Sequence, residues 1–425
     1  MNSNEKPTLK SIIKNIIRRG PKTSPQKKIA VVVTHGVGDQ EPYQILDLFT
    51  RHFYQIYQQL IKQEFPEVEL KLSHQLIKFD HESKSTIRIF SEPQISRIPQ
   101  IDIYEFYWAD ITEGKIEADE VISCIFDIAK GAKKFYSEIR HQGELNSKSG
   151  YHPGRNENKE YLFTYDGEFL YLKYLINLVN YACNFSRFSK YLIKMYRLFF
   201  PSGLFENFIY KMFIRGFNSK IVNVLGDLAL YTASDRKSEF YGIRKKILKR
   251  STEFITELIS GKNDNEYNEI ILLGHSLGSV IFYDTIDYIN KLLNLNPEME
   301  KNSSKLSGFI TLGSPLDKVA FLFAQRINSD INFVRSAITS HLHSFKKHQP
   351  LDSRIETNLK TYFNDIEWLN FWSPSDPISG FLDVYKPLKN YKLVYNDPII
   401  SKHSHSFYWE CEDIYKKIIE VFNLI

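Results

Sequence analysis

Of the 425 residues, 43% are hydrophobic and 25% charged, the balance of a globular protein with a sizeable core. The length suits one large domain with insertions or two ordinary domains. A net charge of +5 and a pI near 8.7 permit an anionic membrane surface as a partner without requiring one. Three scattered cysteines, Cys124, Cys183 and Cys411, exclude a disulfide framework and point to a reducing, cytoplasmic compartment.

Residues 1–28 read as a basic tail. Within it, "LKSIIKNIIRR" sets Leu9, Ile12, Ile13, Ile16 and Ile17 at helical spacing, an amphipathic helix that either packs on its own domain or lies on a membrane. The tail lacks the continuous apolar stretch and cleavage site of a secretory signal. No run in the chain reaches the roughly 18–20 apolar residues that a bilayer span needs.

The next segment, "KKIAVVVTHGVGDQEP", is a buried strand with a glycine-rich exit, followed by helical periodicity in "YQILDLFTRHFYQIYQQLIKQ". Extended segments follow at "VELKLSHQLIKF", "TIRIF" and "QIDIYEFYWAD". Such alternation of strands and helices argues for an α/β sheet. From about 111 to 216 the pattern loosens into a helical insertion, read as a cap or lid. It is crowded with aromatics and carries Lys173, Arg187, Lys190, Lys194, Arg197, Lys211 and Arg215. Those aromatics make either the core of the cap or, through Phe199, Phe200, Phe205 and Phe208, a surface for lipid beside basic groups that meet anionic headgroups. The regular pattern resumes with helices at "NSKIVNVLGDLALYTAS" and "YGIRKKILKRSTEFITELIS", the strand "NEIILLG" and the helix "GSVIFYDTIDYINKLL". Strands at "GFITLGSP", "IEWLNFWSP" and "YKLVYND" and a last helix through "FYWECEDIYKKIIEVFNLI" complete the reading. One α/β domain is therefore expected over residues 29–425.

Gly274-His275-Ser276-Leu277-Gly278 matches G-x-S-x-G between a strand and a helix. A serine on so sharp a turn is lifted clear of the sheet, and its neighbours two positions away must be glycine to avoid a clash. The helix that follows aims N–H groups at developing negative charge. A serine hydroxyl is inert near neutral pH without a base, so a histidine and a carboxylate must follow. Asp376 in "SPSDP" stands after an apolar strand, with Asp317 and Asp383 as alternatives; His405 and His403 stand before the last helix. An oxyanion site needs two converging N–H groups. Leu277 offers one, and Val37, or failing it Gly36, offers the other from "THGVG". His275 is expected to pack beside the elbow rather than react. His341, His343 and His348 read as a solvated loop, without the carboxylates or cysteines of a metal site. No phosphate-binding glycine loop and no nucleic-acid motif is present.

Taken together, these segments resemble serine α/β-hydrolases of the lipase and esterase type. More narrowly, they resemble bacterial hydrolases with an "HGVGDQ" oxyanion loop, "YWAD", "GDLALY", "GHSLGSVI", "TLGSPLD" and a late "HSFYW", and more distantly intracellular phospholipases. The matching motifs run from Ile29 to Trp409. The likeness implies an α/β-hydrolase fold, a mostly parallel sheet flanked by helices, and selects His405 through "HSFYW". It implies hydrolysis of a carboxylic ester, most plainly a lipid or phospholipid acyl ester, by Ser276, His405 and Asp376 without metal or cofactor. The alternatives are acyl transfer by the same residues, or a silent hydrolase fold that binds a ligand or a membrane.

Overall fold

The computed structural model describes residues 26–36, 40–80, 82–112, 239–261, 266–316, 355–376, 379–382, 388–394 and 404–425, with Val334 and Ile338. The basic tail before residue 26, nearly all of the insertion, the "NSKIVNVLGDLALYTAS" helix, Val37, the alternative acids Asp317 and Asp383, His403 and the His341–His348 loop lie outside these residues.

β1 (Lys28–Thr34) is the buried strand expected from "KIAVVVT". It is followed by α1 (Gln44–Glu64), β2 (Glu69–Lys78), β3 (Ser83–Glu92), β4 (Gln100–Phe106) and the short α2 (Ala109–Thr112). Beyond the insertion come α3 (Glu239–Ser260), β5 (Glu269–His275), α4 (Leu277–Leu295), a 3-10 segment (Pro297–Lys305) and β6 (Leu306–Leu312). β7 (Glu367–Trp372), β8 (Lys389–Lys392), α5 (Ser404–Phe407), a 3-10 turn (Tyr408–Glu410) and α6 (Glu412–Val421) complete the described chain. The eight strands form one sheet in the order β2-β3-β4-β1-β5-β6-β7-β8. Pairing is antiparallel for β2/β3 and β3/β4 and parallel from β4 to β8. The protein is thus an α/β protein with a mixed, mostly parallel sheet.

Strand periodicity divides the core. Ala30, Val32, Ile270, Leu272, Phe309 and Trp368 point to the face covered by α3 and α4. Their neighbours Val31, Val33, Ile271, Leu273, Ile310 and Leu369 point to the face covered by α1 and α6. A parallel strand buried on both faces must be apolar at every position, which is why these runs show no alternation in sequence. In α1 the spacing of Ile45, Phe49, Phe53, Ile56 and Tyr57 puts one apolar stripe on the sheet. Each large apolar side chain so buried contributes about 1.5–3 kcal/mol.

Two predicted elements change. The strand expected over "YKLVYND" is only β8, Lys389–Lys392, set two residues earlier. The last helix is not continuous: Cys411 adopts φ −80 and ψ 105 between the 3-10 turn and α6. The physical reason lies in Tyr408 and Trp409, both buried. Tyr408 reaches Asp376 while Trp409 stacks edge-on near Phe49 of α1, and the break lets successive rings serve those two places.

The chain leaves β1 toward β4 on one side of the sheet and places β5 on the other. A crevice at such a reversal, beyond the carboxyl ends of parallel strands, is where open α/β sheets bind ligands. Gly36 follows β1, Ser276 follows β5, Asp376 follows β7 and His405 follows β8, so all four come to that one edge. No described helix is long and apolar enough to cross a membrane.

Candidate active site

Ser276 stands between β5 and α4 with φ 51 and ψ −125, a positive φ that non-glycine residues rarely adopt. Its strain is held from several sides. Its N–H donates to Leu312 O of β6 at 2.9 Å, and its carbonyl accepts from Ser279 N at 3.0 Å and from the Ser279 hydroxyl. A Cβ at Gly274 would sit 2.6 Å from the Ser279 backbone, and one at Gly278 would sit 2.5 Å from His35 O. The two glycines are therefore required by close approach of strand, helix and the β1 exit, as the elbow motif anticipates.

The Ser276 hydroxyl lies 3.0 Å from His405 Nε2. His405 Nδ1 lies 2.9 Å from Asp376 Oδ2. With neutral imidazole, Nδ1–H donates to the carboxylate and Nε2 accepts from the serine, the tautomer that a general base needs. Asp376 is 2% exposed and Ser276 3%, while His405 is partly open to the crevice. The structure thus brings together Ser276, Asp376 and His405, three positions up to 129 residues apart.

The anion side of the site is described in part. Leu277 opens α4, whose first backbone N–H groups have no acceptor within the helix. Gly36 packs directly on Ser276: a Cβ there would come 2.7 Å from Ser276 Cβ and 3.3 Å from its Oγ. His35 Nδ1–H donates to Gly36 O at 2.7 Å, and His35 Nε2 accepts the Trp108 N–H at 3.2 Å. Trp108 stacks on the imidazole and returns its indole N–H to His35 O. Burial pushes His35 down to about 4, so it stays neutral and keeps this donor–acceptor pattern.

His275 does more than fill space. Its Nε2–H donates to the carbonyl of His405 at 2.7 Å, and the two rings are 4.9 Å apart. Desolvation first, and the neighbouring His405 second, push it down to about 3. A residue of the elbow thereby holds the backbone of His405. The sequence places His275 beside the elbow without this bond, and it does not single out Tyr408, whose hydroxyl is 2.9 Å from Asp376 Oδ2. The signal for Tyr408 was present only as an unexplained letter in "HSFYW".

No protein-family model, no curated protein and no solved structure matches this chain.

Proposed function

We propose that the protein is a serine ester hydrolase built on the α/β-hydrolase plan. The observation that carries the reading is the continuous relay from Ser276 Oγ to His405 Nε2 at 3.0 Å and from His405 Nδ1 to Asp376 Oδ2 at 2.9 Å. It is supported by the strained elbow on which Ser276 sits and by the order of the three residues along the chain.

In this reading Ser276 Oγ attacks the ester carbonyl carbon while its proton passes to His405 Nε2. The oxyanion is held by the N–H of Leu277 and a second N–H from the Gly36–Val37 loop. As the intermediate collapses, the C–O bond breaks and the leaving alcohol takes the proton from His405. Water then repeats the sequence on the acyl-enzyme, releasing the acid and restoring Ser276. Asp376 orients the imidazole and stabilises its charged form without taking its proton.

The substrate class proposed is a lipid or phospholipid acyl ester. Support for it is the aromatic and basic composition of residues 171–216, which suits apolar chains beside anionic headgroups. The same segment supports peripheral contact with an anionic membrane from a cytoplasmic setting. The decisive experiment is labelling of purified protein with a fluorophosphonate. Labelling that disappears in Ser276→Ala supports the reading, whereas absent labelling, or labelling that persists in the variant, overturns it. Lipid products of wild type against Ser276→Ala test the substrate class, and sedimentation with anionic liposomes at low salt tests the membrane contact.

A further inference from the structure

Asp376 Oδ2 receives a second donor besides His405. The Tyr408 hydroxyl lies 2.9 Å from that same oxygen and 2.9 Å from Ser379 Oγ, and it accepts the Ser373 N–H at 3.1 Å. The phenol has one proton and two acceptors within reach. A carboxylate is the stronger acceptor by roughly twofold, so the proton goes to Asp376. The ring is fully buried, and its seat is shaped for it. Gly313, at φ +57 after β6, leaves the gap: a Cβ there would come 2.7 Å from Tyr408 Cε2 and 3.3 Å from Asp376 Oδ2. The glycine of "TLGSPLD" and the tyrosine of "HSFYW" thus meet at the acid.

We propose that Tyr408 is a positioning residue for the triad acid, its hydroxyl proton fixing Asp376 Oδ2 in line with His405 and tempering the charge that oxygen presents to the imidazole. The inference rests on the hydrolase reading. It has two consequences. The carboxylate cannot rotate about its bond to His405 without breaking the tyrosine bond. Because Oδ2 already carries a donor, it is a weaker base, so the proton stays on His405 Nδ1 during turnover. Titratable groups that face the pair include Tyr408 itself and His275 from the end of β5, with His35 from the end of β1 behind His275. Both histidines are neutral above about pH 4, so neither adds charge beside Asp376 there, and removing the Tyr408 proton changes the field at its Oδ2.

The test follows the rate of fluorophosphonate labelling against pH, which needs no identified substrate. Tyr408→Phe keeps the ring in its seat and removes the proton. Its plateau rate is expected to fall about 10-fold, with the acidic midpoint rising by about half a unit or more as the bare carboxylate holds the imidazolium more strongly. Replacing Tyr408 by 3-fluorotyrosine, a stronger donor of nearly the same shape, lowers the midpoint instead. A purely structural role moves neither midpoint, and a shift absent from both variants, or equal in sign in both, overturns the proposal. If Tyr408→Phe does not fold, the fluorotyrosine protein alone decides, by whether its midpoint falls. Wild type that labels normally while both midpoints stay put defeats this inference alone; wild type that never labels removes the hydrolase reading and this inference with it.

Discussion

The two halves of the site are held by different physics. Around Ser276, the glycines Gly36, Gly274 and Gly278 are fixed by close approach, Gly36 against the Ser276 side chain and the other two against backbone, at separations where one extra methyl group would fall 2.5–2.7 Å from its neighbour. On the other side, Asp376, His405 and Tyr408 are fixed by side-chain hydrogen bonds of about ordinary length, on the loop after β7 and on α5 and the 3-10 turn after β8. The first arrangement is steric and all-or-none. The second is electrostatic and graded, because each bond can weaken without the others failing. His275 is the link, since it belongs to the elbow yet donates to the carbonyl of His405.

Substitutions that separate these halves test the contrast. The largest effect is expected from Asp376→Asn. It keeps the shape but turns the amide toward the wrong tautomer of His405, and turnover of a p-nitrophenyl ester should fall by about 10³–10⁴ with the melting temperature little changed. A loss below tenfold would mean that another carboxylate serves His405. Next is Gly278→Ala, which forces a methyl group to 2.5 Å from His35 O. We expect destabilisation of about 1–3 kcal/mol by denaturant titration and loss of labelling at Ser276. Unchanged stability and activity would show that the elbow is not sterically held, and the contrast between the halves would break.

The smallest effect concerns the link. His275 and His35 have folded-state values of about 3 and about 4, below their ordinary value of 6.5. Below pH 6.5 the unfolded chain therefore binds protons that the folded chain refuses. Stability is full above about pH 6.5 and falls progressively as pH drops toward 4 and then 3. His275→Gln keeps a donor toward His405 O while removing the titration. Its stability, followed by urea denaturation from pH 7 to 4, should decline less steeply than that of wild type. Equal slopes would mean that the acid sensitivity arises elsewhere.

Much of this molecule is legible in one dimension. The expected apolar runs in "KKIAVVVT", "NEIILLG" and "GFITLGSP" match β1, β5 and β6, with ends shifted by a few residues at most, because strands buried on both faces must be apolar throughout. Ser276, Asp376 and His405 are legible for a chemical reason: a nucleophile needs a base and the base needs an acid, and each must stand where a strand ends. Gly274 and Gly278 follow from the sharpness of the turn. Less was legible toward the carboxyl terminus. The helix expected from Phe407 onward is interrupted at Cys411, since helical periodicity does not reveal that Tyr408 and Trp409 have separate destinations.

What the sequence by itself determined is the set of apolar strands, the sharp serine corner and the order of Ser276, Asp376 and His405 at strand ends, all of which depend on near neighbours. Tertiary structure alone decided that β1 lies between β4 and β5, that His275 of the elbow reaches the carbonyl of His405, and that Tyr408 and Gly313 meet at Asp376. The contacts at His405 and Asp376 join residues between 32 and 130 positions apart, and the pairing of β1 with β5 joins residues farther apart still. Such partners are chosen by the packing of strands and helices into one sheet, and local pattern carries no record of that choice.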